Sequence, residues 1–246
     1  MSILKKWLGG TKIPDFDFSK IGSDMHSHLI PGIDDGSPDM ESTIAMLTKF
    51  QDLGYSKIIT TPHIKTGMFD NTSDIILEGA KEVKKAIVEN KLKIEFEAAA
   101  EYFFDFSFLE KIEKDDILSF SDGHVLLEYS FHQPPMGESE MFFALQMKQF
   151  KPILAHFERY PYYHGSISIA EKLRDKGVKI QLNLLSLFGH YGPQVQKQAA
   201  LLIKEKQVDL LGSDCHRIQH LELLESNLNN KLLNQTLDLD LFNKKL

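Results

Sequence analysis

The sequence predicts an α/β protein built on a parallel sheet, and three observations carry that expectation. Seven short β-rich runs recur along the chain, at 21–25, 57–61, 94–99, 125–129, 152–156, 179–184 and 208–212. Helix-like segments separate most of them, and such alternation gives parallel strands joined by crossover helices. The length of 246 residues suits one large domain. Closing the seven strands into a barrel buries all of them; an open doubly wound sheet is the competing arrangement, and periodicity does not separate the two.

The elements follow in chain order. After the first strand, 39–53 carries Met40, Ile44, Leu47 and Phe50 close to helical spacing, with Pro38 near the first turn and Gly54 as the cap. The second strand is rich in β-branched residues. The segment 73–90 is charged along one side and is preceded by turn-forming Asp70-Asn71-Thr72. Between the third and fourth strands, 101–123 holds Phe103-Phe104-Asp105-Phe106 and then a charged run, and only short helical turns are expected there. Helices are expected at 139–150, at 167–176 before the cap Gly177, and at 193–206. The end of the chain, 220–246, reads as one or two helices packed outside. No linker, repeat or low-complexity stretch interrupts the sequence. Residues 1–246 therefore read as a single domain with a core at about 20–218 and a C-terminal helical segment at 219–246.

Composition excludes several classes. Lys plus Arg number 28 against 35 Asp plus Glu, a net charge of −7, which argues against non-specific nucleic-acid binding. One Cys excludes an intrachain disulfide and a Cys-rich zinc module. No apolar run approaches the roughly 20 residues of a membrane helix. The start, MSILKKWLGG, lacks the apolar stretch and cleavage site of a signal peptide, so a cytoplasmic location is expected. Trp7 and Lys5-Lys6 do not establish membrane contact, and Gly9-Gly10-Thr11-Lys12 lacks the earlier glycine of a phosphate-binding loop. Cys215 has no arginine at the spacing of a thiol-dependent phosphatase loop and is expected to pack beneath its neighbours.

The strand ends carry the chemistry. They read Asp24-Met25-His26-Ser27-His28, Thr60-Thr61-Pro62-His63, Ala99-Ala100-Glu101, Leu126-Leu127-Glu128, Leu154-Ala155-His156 and Gly212-Ser213-Asp214-Cys215-His216. Six of the seven predicted strands thus finish on His, Asp or Glu. In a parallel barrel those ends converge on one face. His26 and His28, like Asp214 and His216, are two apart and can reach one ion. Asp34-Asp35 follow in a glycine-flanked loop. A lone histidine at a strand end is more often a structural hydrogen-bonder, but this many ionisable groups buried together cost too much without metal. Imidazole and carboxylate suit Zn²⁺, Mn²⁺ or Fe²⁺. His124, His132, His164, His190 and His220 lack paired spacing and are read as structural or surface residues.

These motifs carry a resemblance over Asp24 to His216. The order D-x-H-x-H, T-P-H, strand-end Glu, strand-end His and S-D-x-H resembles the polymerase and histidinol phosphatase (PHP) superfamily. The runs His26-Ser27-His28-Leu29-Ile30-Pro31-Gly32-Ile33-Asp34-Asp35-Gly36-Ser37, Leu127-Glu128-Tyr129-Ser130 and Ala155-His156-Phe157-Glu158-Arg159-Tyr160 are similar to its capsule-biosynthesis tyrosine-phosphatase branch, the CpsB/YwqE type. The resemblance implies a distorted seven-stranded (β/α) TIM-like barrel, the PHP fold, with three divalent ions, Mn²⁺, Fe²⁺ or Zn²⁺. It implies one ion on His26, His28, Glu101 and Asp214. A second shares Glu101 and takes Glu128 and His156. The third uses Asp35, His63 and His216, with the choice between Asp34 and Asp35 resting on the D-D-G alignment alone.

The implied reaction is hydrolysis of phosphotyrosine by in-line attack of a metal-bridging hydroxide, without a phosphoenzyme. The implied substrate is a tyrosine kinase controlling capsule or exopolysaccharide synthesis. Arg159, three residues past His156, is the first candidate to hold phosphate, and an ion pair with Glu158 is its alternative. Arg217 is the second candidate. Tyr102, Phe103, Phe157, Tyr160, Tyr162 and Tyr163 follow strand ends and are candidates to flank a phenyl ring, against the commoner role, for each taken singly, of packing the loops. A small-molecule phosphatase of the histidinol-phosphate type and a non-catalytic, metal-bound scaffold for the kinase tail are the competing functions.

Overall fold

The structure, a computed structural model, describes residues 15–246; the features noted at Lys5-Lys6, Trp7 and Gly9–Lys12 lie outside them. The chain forms an α/β fold around a curled parallel sheet. Its strands are β1 (Ser23–Asp24), β2 (Lys57–Thr60), β3 (His63–Ile64), β4 (Glu95–Ala98), β5 (Glu101–Phe103), β6 (His124–Glu128), β7 (Lys151–Leu154), β8 (Lys179–Asn183) and β9 (Leu210–Gly212). One sheet has the order β1-β2-β4 and the other β3-β5-β6-β7-β8-β9, all pairs parallel.

Two of the seven expected strands, 57–61 and 94–99, are each continued after a break by a further short strand beyond the expected range. The second breaks at Thr61-Pro62, where proline has no N–H to give the ladder. The third breaks beside it, between Ala98 and Glu101. Single hydrogen bonds bridge the gap: Ala99 N–H donates to Thr60 O at 2.9 Å and Glu101 N–H to Pro62 O at 3.1 Å. Beyond β9 and β1, Asp214 N–H donates to His26 O at 2.8 Å and His28 N–H to Cys215 O at 2.9 Å.

The helices are α1 (Met40–Leu53), α2 (Ser73–Glu89), α3 (Phe106–Glu113), α4 (Glu138–Met147), α5 (Ser168–Asp175), α6 (Pro193–Lys204), α7 (Ile218–Glu225) and α8 (Lys231–Gln235). Asp39 and Thr72 cap α1 and α2 through their side chains, and Gly54 ends α1 at φ 104°, a conformation open to glycine. The segment expected to hold only short turns contains α3, because the Asp105 carboxylate accepts from Phe108 N–H at 3.1 Å and starts a full helix. None of the helices among the described residues is long and apolar enough to cross a membrane.

The core has two layers. The larger packs the helices against the outside of the sheet and includes Leu47, Phe50, Ile76, Val83, Phe142, Leu173 and Leu202. A smaller cluster of Met25, Ile59, Ala99, Leu126, Ile153 and Leu210, one from each of several strands, fills the concave face. Alternation then puts Glu101 above Ala99 and Glu128 above Leu126 on that face. The last residues do not lie outside, as expected, but under the sheet. Asn243 donates from Nδ2 to Ser23 O and Leu211 O and accepts from Leu211 N–H, tying the starts of β1 and β9, while Phe242 covers the inner cluster.

Candidate metal centre

The C-terminal strand ends surround a cavity of about 580 Å³. Asp35, His63, Glu101, Glu128, His156, Asp214 and His216 line it, with Arg159 and Arg217 on its wall. His26 and His28 are fully buried at its base. Gly212 makes room there, since a Cβ on it would stand 2.8 Å from both His26 Cβ and Gln181 Nε2. Gly36 plays the same part in the Asp34-Asp35 loop, where a Cβ would meet His28 O at 2.3 Å. His156 and Asp214 hold left-handed backbone, φ 33° and 52°. Such strain costs about 1–3 kcal/mol per residue and collects at functional sites.

The hydrogen bonds determine where the ring protons are. Gln181 Oε1 accepts from the backbone N–H of His156 at 2.8 Å, so that atom is an acceptor, and His26 Nδ1, 3.1 Å away, must donate to it. Asp34 accepts from His63 N–H and Gly36 N–H, so His28 Nδ1 donates to its Oδ2 at 2.7 Å. Asp34 therefore orients His28, while Asp35 Oδ1 faces His63 Nε2 at 3.6 Å and His216 Nε2 at 3.5 Å. His216 Nδ1 donates to Asp214 O at 2.9 Å.

What remains is a set of facing acceptors. The Nε2 atoms of His26 and His28 are 3.4 Å apart. Both face Glu101 Oε2, at 3.3 and 3.5 Å, and Asp214 Oδ1, at 3.4 and 3.5 Å. Glu101 Oε2 is buried and makes no hydrogen bond, although His63 Nδ1 is also 3.1 Å away. A proton or a metal ion must occupy the point where these atoms meet. The donor set, imidazole and carboxylate, fits a borderline divalent ion. Ligand atoms lying within 4.8 Å of one another fall into the groups His28-Asp35-His63-His216, His26-His28-Asp214, His26-Glu101-His156 and His63-Glu101-Glu128. Glu101 recurs in two groups, and His26, His28 and His63 each recur in two as well, so the groups overlap.

The field of this cluster is strong. Burial disfavours charge on His26, yet Glu101 and Asp214 outweigh it and raise its pKa to about 9. Burial takes His63 down to about 4 against the pull of Glu101. Burial, and then the charge of Glu101, push Glu128 up to about 8. Glu101 and Asp214 stay well below the usual carboxylate range because the neighbouring histidines overcome their burial. Carboxylates crowded in this way call for more positive charge than the protein supplies.

The sequence of this chain matches the capsular polysaccharide synthesis family CpsB/CapC over residues 22–224. The chain belongs to that family. Among its CpsB/CapC relatives, the tyrosine-protein phosphatase YwqE of Bacillus subtilis is 27% identical over 197 residues, covering 80% of this chain and 78% of YwqE. The tyrosine-protein phosphatase CpsB of Streptococcus pneumoniae is 27% identical over 201 residues, 79% of this chain and 83% of that protein. A solved structure from work on YwqE and CpsB, described as unique metal-dependent tyrosine phosphatases, superposes with a TM-score of 0.74 at 26% identity, over 90% of this chain and 95% of the other. A histidinol phosphate phosphatase of Lactococcus lactis shares the fold, with a TM-score of 0.50 at 19% identity, over 85% of this chain and 92% of the other.

In this CpsB/CapC chain Arg159 does not pair with Glu158. Its Nη1 donates to Asp214 Oδ2 at 2.9 Å, and its guanidinium lies 4.7 Å from the Phe131 ring centre and 4.2 Å from that of Tyr191. Glu158 points away and accepts from Asn183 N–H and Ser186 Oγ. Arg217 donates from Nε to His220 Nε2 at 3.2 Å. Three of the candidate rim aromatics take the packing role instead. Tyr102, Phe157 and Tyr160 are buried among the helices, because each follows a position facing the cavity or turns back into the core. Phe69, Phe131 and Tyr191 line the cavity instead, as do His190 and His220. Cys215 is buried with Sγ 3.7 Å from Met46 Sδ, and burial pushes its thiol up, away from thiolate.

Gln181 and Asn183 lie on β8, the strand with no His, Asp or Glu at its end. Gln181 Nε2 donates to Asn183 Oδ1, and Asn183 Nδ2 donates to Asp214 Oδ2, so β8 supplies the layer that aligns His26, His156 and Asp214. A sequence signal for this existed: Gln181 and Asn183 alternate with Ile180 and Leu182 in a strand that is otherwise buried.

Proposed function

We propose that this CpsB/CapC chain is a metal-dependent protein-tyrosine phosphatase. The observation that carries the reading is the facing pair of imidazole lone pairs and two carboxylates at the base of the cavity. His26, His28, Glu101 and Asp214 would hold one ion, Glu101, Glu128 and His156 a second, and Asp35, His63 and His216 a third, with Mn²⁺, Fe²⁺ and Zn²⁺ all compatible with the donors. Bound divalent ions supply Lewis acidity, lowering the pKa of water and neutralising phosphoryl charge. Gln181 and Asp34 fix the imidazoles, as second-layer partners of metal ligands do. Arg159, held over the Phe131 and Tyr191 rings, offers its remaining N–H groups to non-bridging phosphate oxygens. Arg217 lines the same cavity from the loop after β9. Phe69, Phe131 and Tyr191 present faces against which an aryl leaving group can pack. Phenolate leaves more readily than an alkoxide, which reduces the need for a strong general acid.

The finer architecture belongs to the same reading. The bonds from Asp214 and Cys215 to His26 and His28 support closure of the sheet into a distorted seven-stranded barrel, with residues 1–246 as one domain. The physiological substrate would be a phosphorylated tyrosine kinase of polysaccharide export, met in the cytoplasm. The test is hydrolysis, with Mn²⁺ and with or without chelator, of a phosphotyrosine peptide, a phosphoserine peptide and histidinol phosphate. Chelator-sensitive turnover of the first is expected. Turnover of histidinol phosphate alone sinks the reading, and no turnover of any favours a scaffold.

A further inference from the structure

Beside the metal cavity runs a second depression of about 660 Å³, lined mainly by Phe103, Phe104, Phe106, Leu109, Pro134 and Met136. Its rim is unusually apolar, since Phe106 is 83% and Met136 89% exposed. Large apolar side chains grouped in solvent mark contact surfaces.

The groove and the cavity share one wall. Phe103 and Glu128 are register partners between β5 and β6, and the first lines the groove while the second lines the cavity. Phe104 N–H donates to Glu128 O at 2.9 Å, fixing the groove floor to that candidate ligand. Ser130 and Phe131 are consecutive and face the two depressions, and Tyr162 Oη holds the ridge by donating to Ser130 O at 2.7 Å. Lys65 lines the cavity and sets its ammonium 4.1 Å from the centre of the Phe103 ring. For a tyrosyl side chain that enters the cavity past this ridge, the adjacent residues of the same polypeptide would reach the groove.

We propose that the groove between α3 and the segment leading into α4 is a substrate subsite, which takes an apolar side chain next to the phosphotyrosine. The inference rests on the phosphatase reading and adds the class of polypeptide preferred. Phenylalanine walls give the contact area, and the unbranched Met136 adapts to side chains of different shape. The acidic neighbours Asp105 and Glu140 disfavour an acidic residue there.

The test uses the full chain with Mn²⁺ and three kinds of substrate. These are free phosphotyrosine, phosphotyrosine peptides with leucine at each of the two positions on either side, and the same peptides with serine or aspartate there. Leucine at one of these positions is expected to raise kcat/KM about tenfold over serine, the gain from burying one apolar side chain. The double variant Phe106→Ser, Met136→Ser changes only exposed side chains. It should erase the preference and leave hydrolysis of free phosphotyrosine unchanged. Equal rates on all peptides, or a preference that survives the double variant, overturn the subsite. Failure to hydrolyse any of these phosphotyrosine substrates instead overturns the phosphatase reading. Light scattering supplies the remaining outcome: a dimer of the native chain that the double variant dissolves assigns the groove to a second copy and overturns the proposal.

Discussion

His26 and His28 point their Nε2 atoms at each other across 3.4 Å, and neither atom can carry the ring's first proton. Each ring is already committed through Nδ1, His26 to Gln181 and His28 to Asp34. The pair is thus prepared for a cation before one arrives. Asp34→Ala frees the His28 ring, and Gln181→Leu frees that of His26. Each is expected to weaken Mn²⁺ binding about 10- to 100-fold, the usual effect of losing an outer partner of a metal ligand. Calorimetric titration with Mn²⁺ checks this, and unchanged affinity in both would remove these residues from the centre.

Metal binding should also stabilise the fold. The ligands come from strands far apart in sequence, so an ion that binds only the folded chain adds about 2.7 kcal/mol at a hundredfold excess over its Kd. Thermal unfolding with Mn²⁺ and then with chelator is expected to show a clear fall in Tm. Identical transitions would mean that no ion is held by these groups.

Arg159 is gripped by two rings and one carboxylate. Arg159→Ala should raise the inhibition constant for inorganic phosphate about tenfold or more, as expected for a lost charge-assisted contact. Tyr191→Leu should reproduce part of that loss and Tyr191→Phe little of it, because the ring face is what holds the guanidinium. The combination of Arg159→Ala with Tyr191→Leu should be no worse than Arg159→Ala alone. Additive losses would separate Tyr191 from the arginine.

His124 gives the fold a pH limit away from the metal centre. It lies at the start of β6, 1% exposed, with both ring nitrogens unpartnered, against Phe242 and near Lys179 and Lys151. Burial and then the two lysines lower its pKa from 6.5 to about 4. Between those values the unfolded chain binds the proton more readily, so stability falls as pH drops from 6.5 and levels off below about 4. The whole effect amounts to at most roughly 3 kcal/mol. His124→Phe should flatten that part of the stability curve in urea titrations at pH 4.5 and 7. An unchanged slope would show that His124 does not titrate with unfolding.

Much of this molecule was legible in its sequence. The alternation of β-rich runs and amphipathic segments determined the α/β class, because strand and helix periods are local properties of the chain. The residues that gather at the cavity were visible for a similar reason: His26, Glu101, Glu128 and Asp214 stand where predicted strands end, and ends of parallel strands share one face. Tertiary structure decided what depends on direction. It separated Asp34, which orients His28, from Asp35, which faces His63 and His216. It turned Arg159 toward Asp214 rather than Glu158, buried Tyr102 and Tyr160, and brought Phe131 and Tyr191 to the mouth. It also drew Asn243 beneath the sheet and set Gln181 and Asn183 behind His26 and Asp214. Sequence spacing states how far apart two residues can be. Only packing states which way each side chain points, because that choice is made by neighbours hundreds of bonds away along the chain.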